Sequence, residues 1–389
     1  MKIIKNIDLY APEHLGICDV LIEGSSFGLI KKELPVPIGL DAEVIDGTGK
    51  ILVPGFVDAH VHILGGGGEG GYHTRTPELM LSSMIESGVT TVVGVLGTDG
   101  VSRTMTNLIA KAKGLKNEGV SCYLLSGSYD VPVRTLLGNI REDILLIEEI
   151  IGVGEIAISD HRSSQPTQSE IERIAADARV GGMLAGKAGI VQIHMGDGEA
   201  GIDMLNKIVQ TTTLPITQFM PTHVNRNKKL FLDCIDFAKR GGRIDLTISP
   251  NPIYLDEEEV KCSLGLKMCL DAGVPIDKIT FSSDGQGSLP LFDENKQFVG
   301  LGVGDMTYLV KEVVDAVLQE KIPLDTAIRV ITQNPASTLK LKNKGQVKQG
   351  FDADFVILDA KTYEIHSVGA MGCLMMHNNQ LLRKGTFEK

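Results

Sequence analysis

The chain has 389 residues, of which 43% are hydrophobic and 22% charged, with a formal net charge of -11; this length fits one large barrel-type domain or two domains with an ample core. The acidic balance excludes nucleic acid or an anionic membrane as the main partner, since both need clustered Lys and Arg, while a few local arginines can still dominate a pocket. Cys18, Cys122, Cys234, Cys262, Cys269 and Cys373 form no CxxC pair, as expected of free thiols in a reducing compartment. Without a charge-free window of membrane-spanning length or an apolar leader in "MKIIKNIDLYAPEHLG", a cytoplasmic location is expected.

In chain order, residues 1–53 read as short strands and turns: "CDVLIEG" and "AEVIDGTGKILVPG" alternate or run apolar and end in glycine turns. Residues 54–344 have another rhythm. The strand candidates "GFVDAHVH", "TTVVGVLG", "SCYLLSG", "IGVGEIAIS", "IVQIHMG", "ITQFMPTHV", "RIDLTIS" and "KITFSSD" are separated by helical patterns. These are "TPELMLSSMIESG", "MTNLIAKAKGLKNEG", "REDILLIEEI", "SEIERIAADARVGGMLAG", "GIDMLNKIVQTT", "KKLFLDCIDFAKRGG" and "EEEVKCSLGLKMCLDAG", many of them stopping at glycine. Eight strands with intervening helices predict a (β/α)8 TIM barrel of α/β class; an open doubly wound sheet is the alternative, and no GxGxxG follows the first strand to favour it. Residues 345–389 return to strands and turns in "GQVKQGFDADFVILDA" and "NNQLLRKGTF". Neither end looks able to fold alone, so a small β-sandwich domain built from both termini, 1–53 plus 345–389, is expected beside a barrel over 54–344.

In a barrel the chemistry sits at the C-terminal ends of the strands. His60 and His62 end the first candidate strand, Tyr129 follows the third, Glu155 lies in the fourth, His194 ends the fifth, His223 the sixth and Asp284 the eighth. Period two puts His60 and His62 on one face, able to reach one ion. An HxH pair alone is equally well explained by two hydrogen-bonded histidines; four imidazoles and two carboxylates at one rim are not. Such a set can hold two divalent ions, and nitrogen and oxygen donors suit Zn2+. Two ions bridged by a carboxylate and a hydroxide generate a nucleophile near neutral pH and polarise a carbonyl, which points to hydrolysis of an amide, ester or related bond, with Asp284 shuttling the proton. The run "GGGGEGG" after "HVH" lacks the Gly-Lys-Ser/Thr ending of a phosphate cradle; its glycines let the backbone turn tightly beside a small ligand.

"PGFVDAHVH", the single His194 and His223, and a late Asp in "SSDG" resemble the amidohydrolase superfamily. Within it the stretches "DLYAPEHLGICDVLI", "HVHILGGGGEGG", "TRTPE", "GVTTVVGVLGTD", "SGSYDVPVRT", "AISDHRS", "RVGGMLAGKAG", "IHMGD", "PTHVNRN", "SSDGQGS" and "KGTFE" are similar to the isoaspartyl (β-aspartyl) dipeptidases, over nearly the whole chain. The resemblance implies that His60, His62 and Asp284 hold one metal and His194 and His223 the other. Asp284 then takes the proton of the attacking hydroxide and passes it to the leaving amine, and Tyr129 polarises the scissile carbonyl. The family's bridging carbamylated lysine is absent, and its place in "IGVGEIAISDHRS" is taken by Glu155. Glutamate brings the same charge and two oxygens but is shorter by about three bonds, roughly 3–4 Å, so the chain must carry it closer; Gly154 beside it can permit that approach.

A β-aspartyl dipeptide carries one ammonium and two carboxylates, so its pocket needs one anion and about two cations. Glu69 for the ammonium, and Arg162 and Arg226 as planar forks for the carboxylates, match the family's substrate-binding residues; Ser288 and the backbone near Gly67 and Thr98 match further contacts. Taken singly, each has a plainer reading: the arginines as surface ion-pair partners, Ser288 as a turn residue, Thr98 as a helix cap, Tyr129 as a packing residue. His161 has no ligand slot and reads as structural or as a support behind the ligands; His14, His73, His366 and His377 have no companions. The expected activity is metal-dependent hydrolysis of isoaspartyl dipeptides by a homo-oligomer. The alternatives are another amidohydrolase acting on an N-acyl amino acid, a cyclic amide or another acidic dipeptide, and a catalytically silent metal-binding protein.

Overall fold

The computed structural model describes residues 1–36, 39, 41–249, 259–292 and 297–389. Strands Lys2–Tyr10, His14–Glu23, Ser26–Lys31, Glu43–Asp46 and Lys50–Pro54 join strands Phe355–Asp359, Ile365–Ala370, Cys373–His377 and Gln380–Leu381 in one nine-stranded sheet. This sheet forms the β-sandwich domain, with strands from both termini. The seam is the antiparallel pairing of Lys50–Pro54 with Phe355–Asp359, in which Leu52 faces Ile357 and Val53 faces Val356. Alternation along these two strands assigns their side chains to two cores. Leu52, Phe355 and Ile357 turn into the sheet's own core with Ile7, Val20 and Phe27. Ile51, Val53, Val356 and Leu358 turn the other way and join the barrel core with Phe56, Met84 and Ile85. Each such fully buried aliphatic side chain contributes about 1.5–3 kcal/mol, so a pattern of period two fastens one domain to the other.

The barrel strands, numbered from the first, are β1 (Phe56–Val61), β2 (Val89–Gly94), β3 (Ser121–Ser126), β4 (Ile150–Ile158), β5 (Ile190–Met195), β6 (Phe219–Thr222), β7 (Ile244–Thr247) and β8 (Ile279–Ser282). Strands β1 to β6 pair in sequence order, and β7 pairs with β8, all parallel. Val224 N–H donates to Asp245 across the β6–β7 gap at 3.3 Å, and His62 N–H donates to Gly285 across β1–β8 at 2.9 Å, which closes the ring. Around it lie α1 (Leu81–Glu86), α2 (Met105–Asn117), α3 (Ile140–Leu146), α4 (Gln168–Ala185), α5 (Asp203–Thr211), α6 (Lys228–Lys239), α7 (Cys262–Asp271) and α8 (Tyr308–Leu318). Helix α4 shows how the local sequence sets the limits: Thr167 and Glu170 form a capping box at its start, Gly186 in the left-handed region ends it, and Ile171, Ile174, Ala175 and Ala178 give it a buried face.

Two expectations need correction. The helix read over "TPELMLSSMIESG" is only α1, because Thr76 N–H and Leu79 N–H donate to the carbonyls of Gly66 and Ile63 and hold residues 76–79 against the glycine loop. Between β8 and α8 stands an antiparallel hairpin, Ser288–Phe292 with Phe298–Val303, where the sequence reading assigned no strand; Pro290 weakens the strand signal there. The start of the helix read over "EEEVKCSLGLKMCLDAG" lies outside the described residues. All six cysteines carry free thiols.

Lys344, buried near the junction, lies 2.6 Å from Asp354 and 2.9 Å from Asp352, and Asp354 in turn accepts from the Met371 N–H and gives its carbonyl to Gly55. Removing one partner of a buried ion pair leaves the other charge uncompensated, at a cost of about 3–5 kcal/mol. Lys344→Met is therefore expected to lower the unfolding midpoint measured by thermal or urea denaturation; a wild-type midpoint would show that the junction does not depend on this pair.

Candidate metal centre and substrate pocket

His60 lies in β1 and His62 just beyond it, Glu155 in β4, His194 in β5, His223 directly after β6 and Asp284 two residues after β8. Their donor atoms converge. Glu155 Oε1 lies 3.4 Å from His60 Nε2 and 3.6 Å from His62 Nε2. Asp284 Oδ1 lies 3.5 and 3.0 Å from the same two nitrogens. The other Glu155 oxygen, Oε2, lies 3.0 Å from His194 Nδ1 and 3.6 Å from His223 Nε2. Glu155, fully buried, thus turns one oxygen to each histidine pair. Ligands around a tetrahedral zinc stand roughly 3.3–3.4 Å apart for bonds of about 2.0–2.1 Å, and these spacings bracket that value. His60 Nε2, Glu155 Oε1 and Asp284 Oδ1 are buried and have no hydrogen-bond partner among the described residues, which suits atoms that need a cation.

The local backbone explains how a short glutamate reaches this point. In the β4–β5 pairing Val153 faces Val191, yet Ile156 faces Ile193: β4 carries one extra residue here, a bulge that re-aims its side chain. Gly154 has φ +155°, and a Cβ on it would come within 2.9 Å of Gln192 Cβ. Gly97 does similar work under His62, since a Cβ there would lie 2.5 Å from His62 Cε1. His223 and Asp284 both have positive φ, 61° and 50°, a costly backbone for these residues that concentrates at functional sites.

Neighbouring groups fix the imidazoles. Gln192 gives its amide N–H to Ala59 O, so its Oε1 accepts from His60 Nδ1 at 2.9 Å and leaves Nε2 as the free donor atom. His223 Nδ1 lies 2.7 Å from Thr247 Oγ1. Burial pushes the His223 imidazolium down to about 3, keeping the ring neutral. Burial also opposes charge on His60, but Glu155 and Asp284 outweigh it and draw its pKa well up; burial raises the Glu155 carboxyl, and His60, His194 and His223 overcome this and hold it well below the usual range. The cluster is built to surround a positive charge. His60, His62, Glu155 and Asp284 can hold one ion, and Glu155, His194 and His223 another. Burial, with Glu155 close by, drives the Tyr129 phenol well above its ordinary value, so it keeps its proton; its hydroxyl stands 2.8 Å from His194 Nδ1.

The substrate-side residues open outward from this set. Glu69 accepts from the Thr98 hydroxyl at 2.9 Å and lies 3.6 Å from Arg162 Nη1. Thr98 therefore meets Glu69 through its side chain, and the cap at the start of α2 is Thr104 instead. Arg162 and Arg226 do not lie on the open surface: both point at Asp160, Arg162 at 2.7 Å and Arg226 at 3.8 Å. Gly67, with φ +66°, abuts Ser288, so that a Cβ on Gly67 would lie 2.7 Å from Ser288 Cβ. His161 is exposed, whereas His366 and His377, read as solitary, share the hydroxyl of Ser367 at 2.9 Å each.

Three residues here escaped the sequence reading. Arg103, almost fully buried, donates to the carbonyls of Leu64, Gly66 and Gly67 and so holds the glycine loop from below. Asp58, buried in β1, accepts from Ser283 N–H and Oγ–H and from His60 N–H, and burial raises its pKa to about 7. Asp245 in β7 accepts from Thr222, Thr280 and Ser282. For Asp58 and Asp245 the only local signal was charge inside apolar strands, and Arg103, in the turn before α2, gave none.

Residues 51–383 match the amidohydrolase family model. Over its whole length the chain is similar to a beta-aspartyl dipeptidase from Fervidobacterium islandicum AW-1, whose structure was solved in complex with a beta-Asp-Leu dipeptide; identity is 46%, TM-score 0.90, and 100% of each chain is covered. A dihydropyrimidinase from Brevibacillus agri, 18% identical with TM-score 0.69 over 99% of this chain and 96% of the other, shares the fold. Among sequence relatives, a deacetylase from Brucella anthropi is 23% identical (91% of this chain, 82% of the relative), and a dihydroorotase from Aquifex aeolicus 24% identical (88% and 85%). With its barrel, its strand-end imidazoles and carboxylates and this full-length match, the chain belongs to the amidohydrolase family.

Proposed function

We propose that this chain is a metal-dependent isoaspartyl (β-aspartyl) dipeptidase. The observation that carries the reading is charge placement: beside the metal-ligand cluster stand one outward carboxylate, Glu69, and two guanidiniums, Arg162 and Arg226. These complement the one ammonium and two carboxylates of a β-aspartyl dipeptide. The 46% identity to a beta-aspartyl dipeptidase supports it. Two divalent ions, which the nitrogen and oxygen donors suit as Zn2+, supply an acidified water and Lewis acidity toward the scissile carbonyl. Glu155, with one oxygen toward each histidine pair, would hold both.

The chain's own groups do the rest. Glu69, oriented by Thr98, anchors the ammonium; Arg162 and Arg226 hold the carboxylates; Ser288 and the backbone at Gly67 complete the wall. Asp284 takes the proton from the attacking water and hands it to the leaving amine. Tyr129 donates its retained proton as a hydrogen bond to the carbonyl oxygen as charge develops there. Burial raises the Asp284 carboxyl, but the flanking His60 and His62 hold it well below the usual range, so it starts ionised, as a base must. Among the described residues no helix is long and apolar enough to cross a membrane. A cytoplasmic homo-oligomer that contacts neither nucleic acid nor membrane completes the proposal, resting on the acidic charge and the family resemblance.

The zinc-loaded protein is expected to cleave β-Asp-Leu and to leave α-Asp-Leu, a hydantoin and an N-acetyl amino acid largely intact, followed by amine release; preferential turnover of any other member of the panel would overturn the assignment. Glu155→Gln should lose bound metal by elemental analysis and lower kcat by more than the about 10–100-fold that loss of an outer partner costs; two retained ions with full activity would sink the bridging role. Glu69→Gln is expected to lower kcat/KM about 10–100-fold, the weight of a hydrogen bond to a charged group, with metal content unchanged. Loss of metal in that variant would place Glu69 in the metal centre instead.

A further inference from the structure

Asp160 is a nearly buried carboxylate at the pocket side of the metal cluster that the mechanism leaves without a task. It follows β4 by two residues, and its side chain is 3% exposed. Its Oδ1 accepts from Arg162 N–H at 2.7 Å and Arg162 Nε–H at 3.0 Å. Its Oδ2 is shared: Arg162 Nη2 lies at 2.7 Å, His194 Nε2 at 3.0 Å and Arg226 Nη1 at 3.8 Å. One oxygen therefore hydrogen-bonds an imidazole of the metal cluster and the Arg162 guanidinium, and it lies within ion-pair range of Arg226, whose Nη1 is also 3.8 Å from Asp197. The position is rigid. Gln165 donates to the Asp160 carbonyl at 3.0 Å, Gly196 and Gly198 donate to Ile158 and Ser159, and a Cβ on Gly196 would come within 2.5 Å of Asp160 Cβ.

We infer that Asp160 is a positioning residue that ties His194 to Arg162 and Arg226, so that one carboxylate sets both metal retention and recognition of the substrate's carboxylates. The metal-side half follows from imidazole chemistry. Nε2 of His194 stands 3.0 Å from Asp160 Oδ2, which accepts the ring's single proton there; this fixes the tautomer and the ring plane and leaves Nδ1, beside Glu155, as the atom that would hold a metal. The substrate-side half follows from the fork. Asp160 engages the Nε and Nη2 edge of Arg162 and leaves Nη1 directed toward the pocket, 3.6 Å from Glu69. Arg226, whose Nε has no partner among the described residues, is drawn toward the same oxygen. This inference rests on the dipeptidase reading for its substrate side only.

The test compares the full-length wild type with Asp160→Asn and Asp160→Glu. Zinc affinity is measured without substrate, by competition with a chromogenic chelator, and KM and kcat for β-Asp-Leu are measured at saturating zinc. Asp160→Asn is expected to weaken one zinc equivalent by about 10–100-fold. At zinc saturation it should raise KM about 10-fold or more, as expected when charge-assisted contacts lose their geometry, with a smaller change in kcat. Asp160→Glu keeps the charge and should restore part of both losses. A purely structural role would lower the unfolding midpoint without this paired pattern or its rescue. If Asp160→Asn does not fold, Asp160→Glu alone decides: both quantities displaced from wild type support the role, and either at its wild-type value overturns it. Folded Asp160→Asn within about twofold of wild type in either quantity overturns it as well, since a change of that size is under 0.5 kcal/mol. A zinc-loaded wild type that fails to cleave β-Asp-Leu would instead sink the dipeptidase reading, and the zinc titration would still report on the His194 side.

Discussion

A carboxylate with no solvent exposure, set between two pairs of imidazoles, is the constraint on which this structure turns. Glu155 cannot remain charged at the mouth of a barrel unless cations surround it, because an unpaired buried charge costs several kcal/mol. One of its oxygens is turned to each histidine pair. The rest of the rim answers to that placement. The histidines come from β1, β5 and the end of β6, each delivered to within about 3–4 Å of Glu155, and Asp284 arrives from beyond β8 to meet His60 and His62.

The fold achieves this with devices that cost stability elsewhere. An extra residue in β4 re-aims the strand where Glu155 turns toward the histidines. Left-handed backbone at His223 and Asp284 points two donors back over the barrel axis. Beneath them, Asp58 and Asp245 sit inside apolar strands and gather the hydroxyls and amides around Ser282 and Ser283, which precede Asp284. These buried carboxylates are satisfied by several donors each, as the low dielectric demands. They hold the loop after β8 to β1 and β7. A strained strand end stays in place because the layer below is over-determined.

The parts that were legible in the sequence are those whose signal is local. The eight barrel strands announced themselves as apolar β-rich runs, and His60 and His62 as a pair on one strand face, because both patterns are complete within ten residues. What was hidden depends on partners far along the chain. Asp58 looks like one more residue of "PGFVDAHVH" until Ser283, 225 positions later, is seen to donate to it. Arg103 resembles a surface arginine until three carbonyls of the glycine loop turn out to point at it. Asp160 was visible in "AISDHRS" only as the neighbour of Arg162, and nothing in that stretch reveals His194 or Arg226. The shortened α1 belongs to the same class: its residues have helical periodicity, and hydrogen bonds to Ile63 and Gly66 overrule it.

A strongly acidic protein must, on the proposed dipeptidase reading, recognise an acidic ligand. The net charge of -11 acts over the whole surface and is screened within about 8–10 Å in physiological salt. Inside the cleft the balance is local. Glu69 lies 3.6 Å from Arg162, and Asp160 lies between Arg162 and Arg226, so the two guanidiniums are held by anions that already compensate most of their charge. On the dipeptidase reading, a ligand with one ammonium and two carboxylates brings its ammonium to Glu69 and its carboxylates to the free edges of the guanidiniums while Asp160 keeps its hold on Arg162, so the site never has to bury an uncompensated charge in either state. A neutral cyclic amide offers no such charges: it would leave Glu69 and Arg162 paired with each other and gain little by entering. On that reading selectivity comes from charges that are preorganised and mutually satisfied before the ligand arrives, which keeps the cost of waiting low and rewards the ligand whose charges match them.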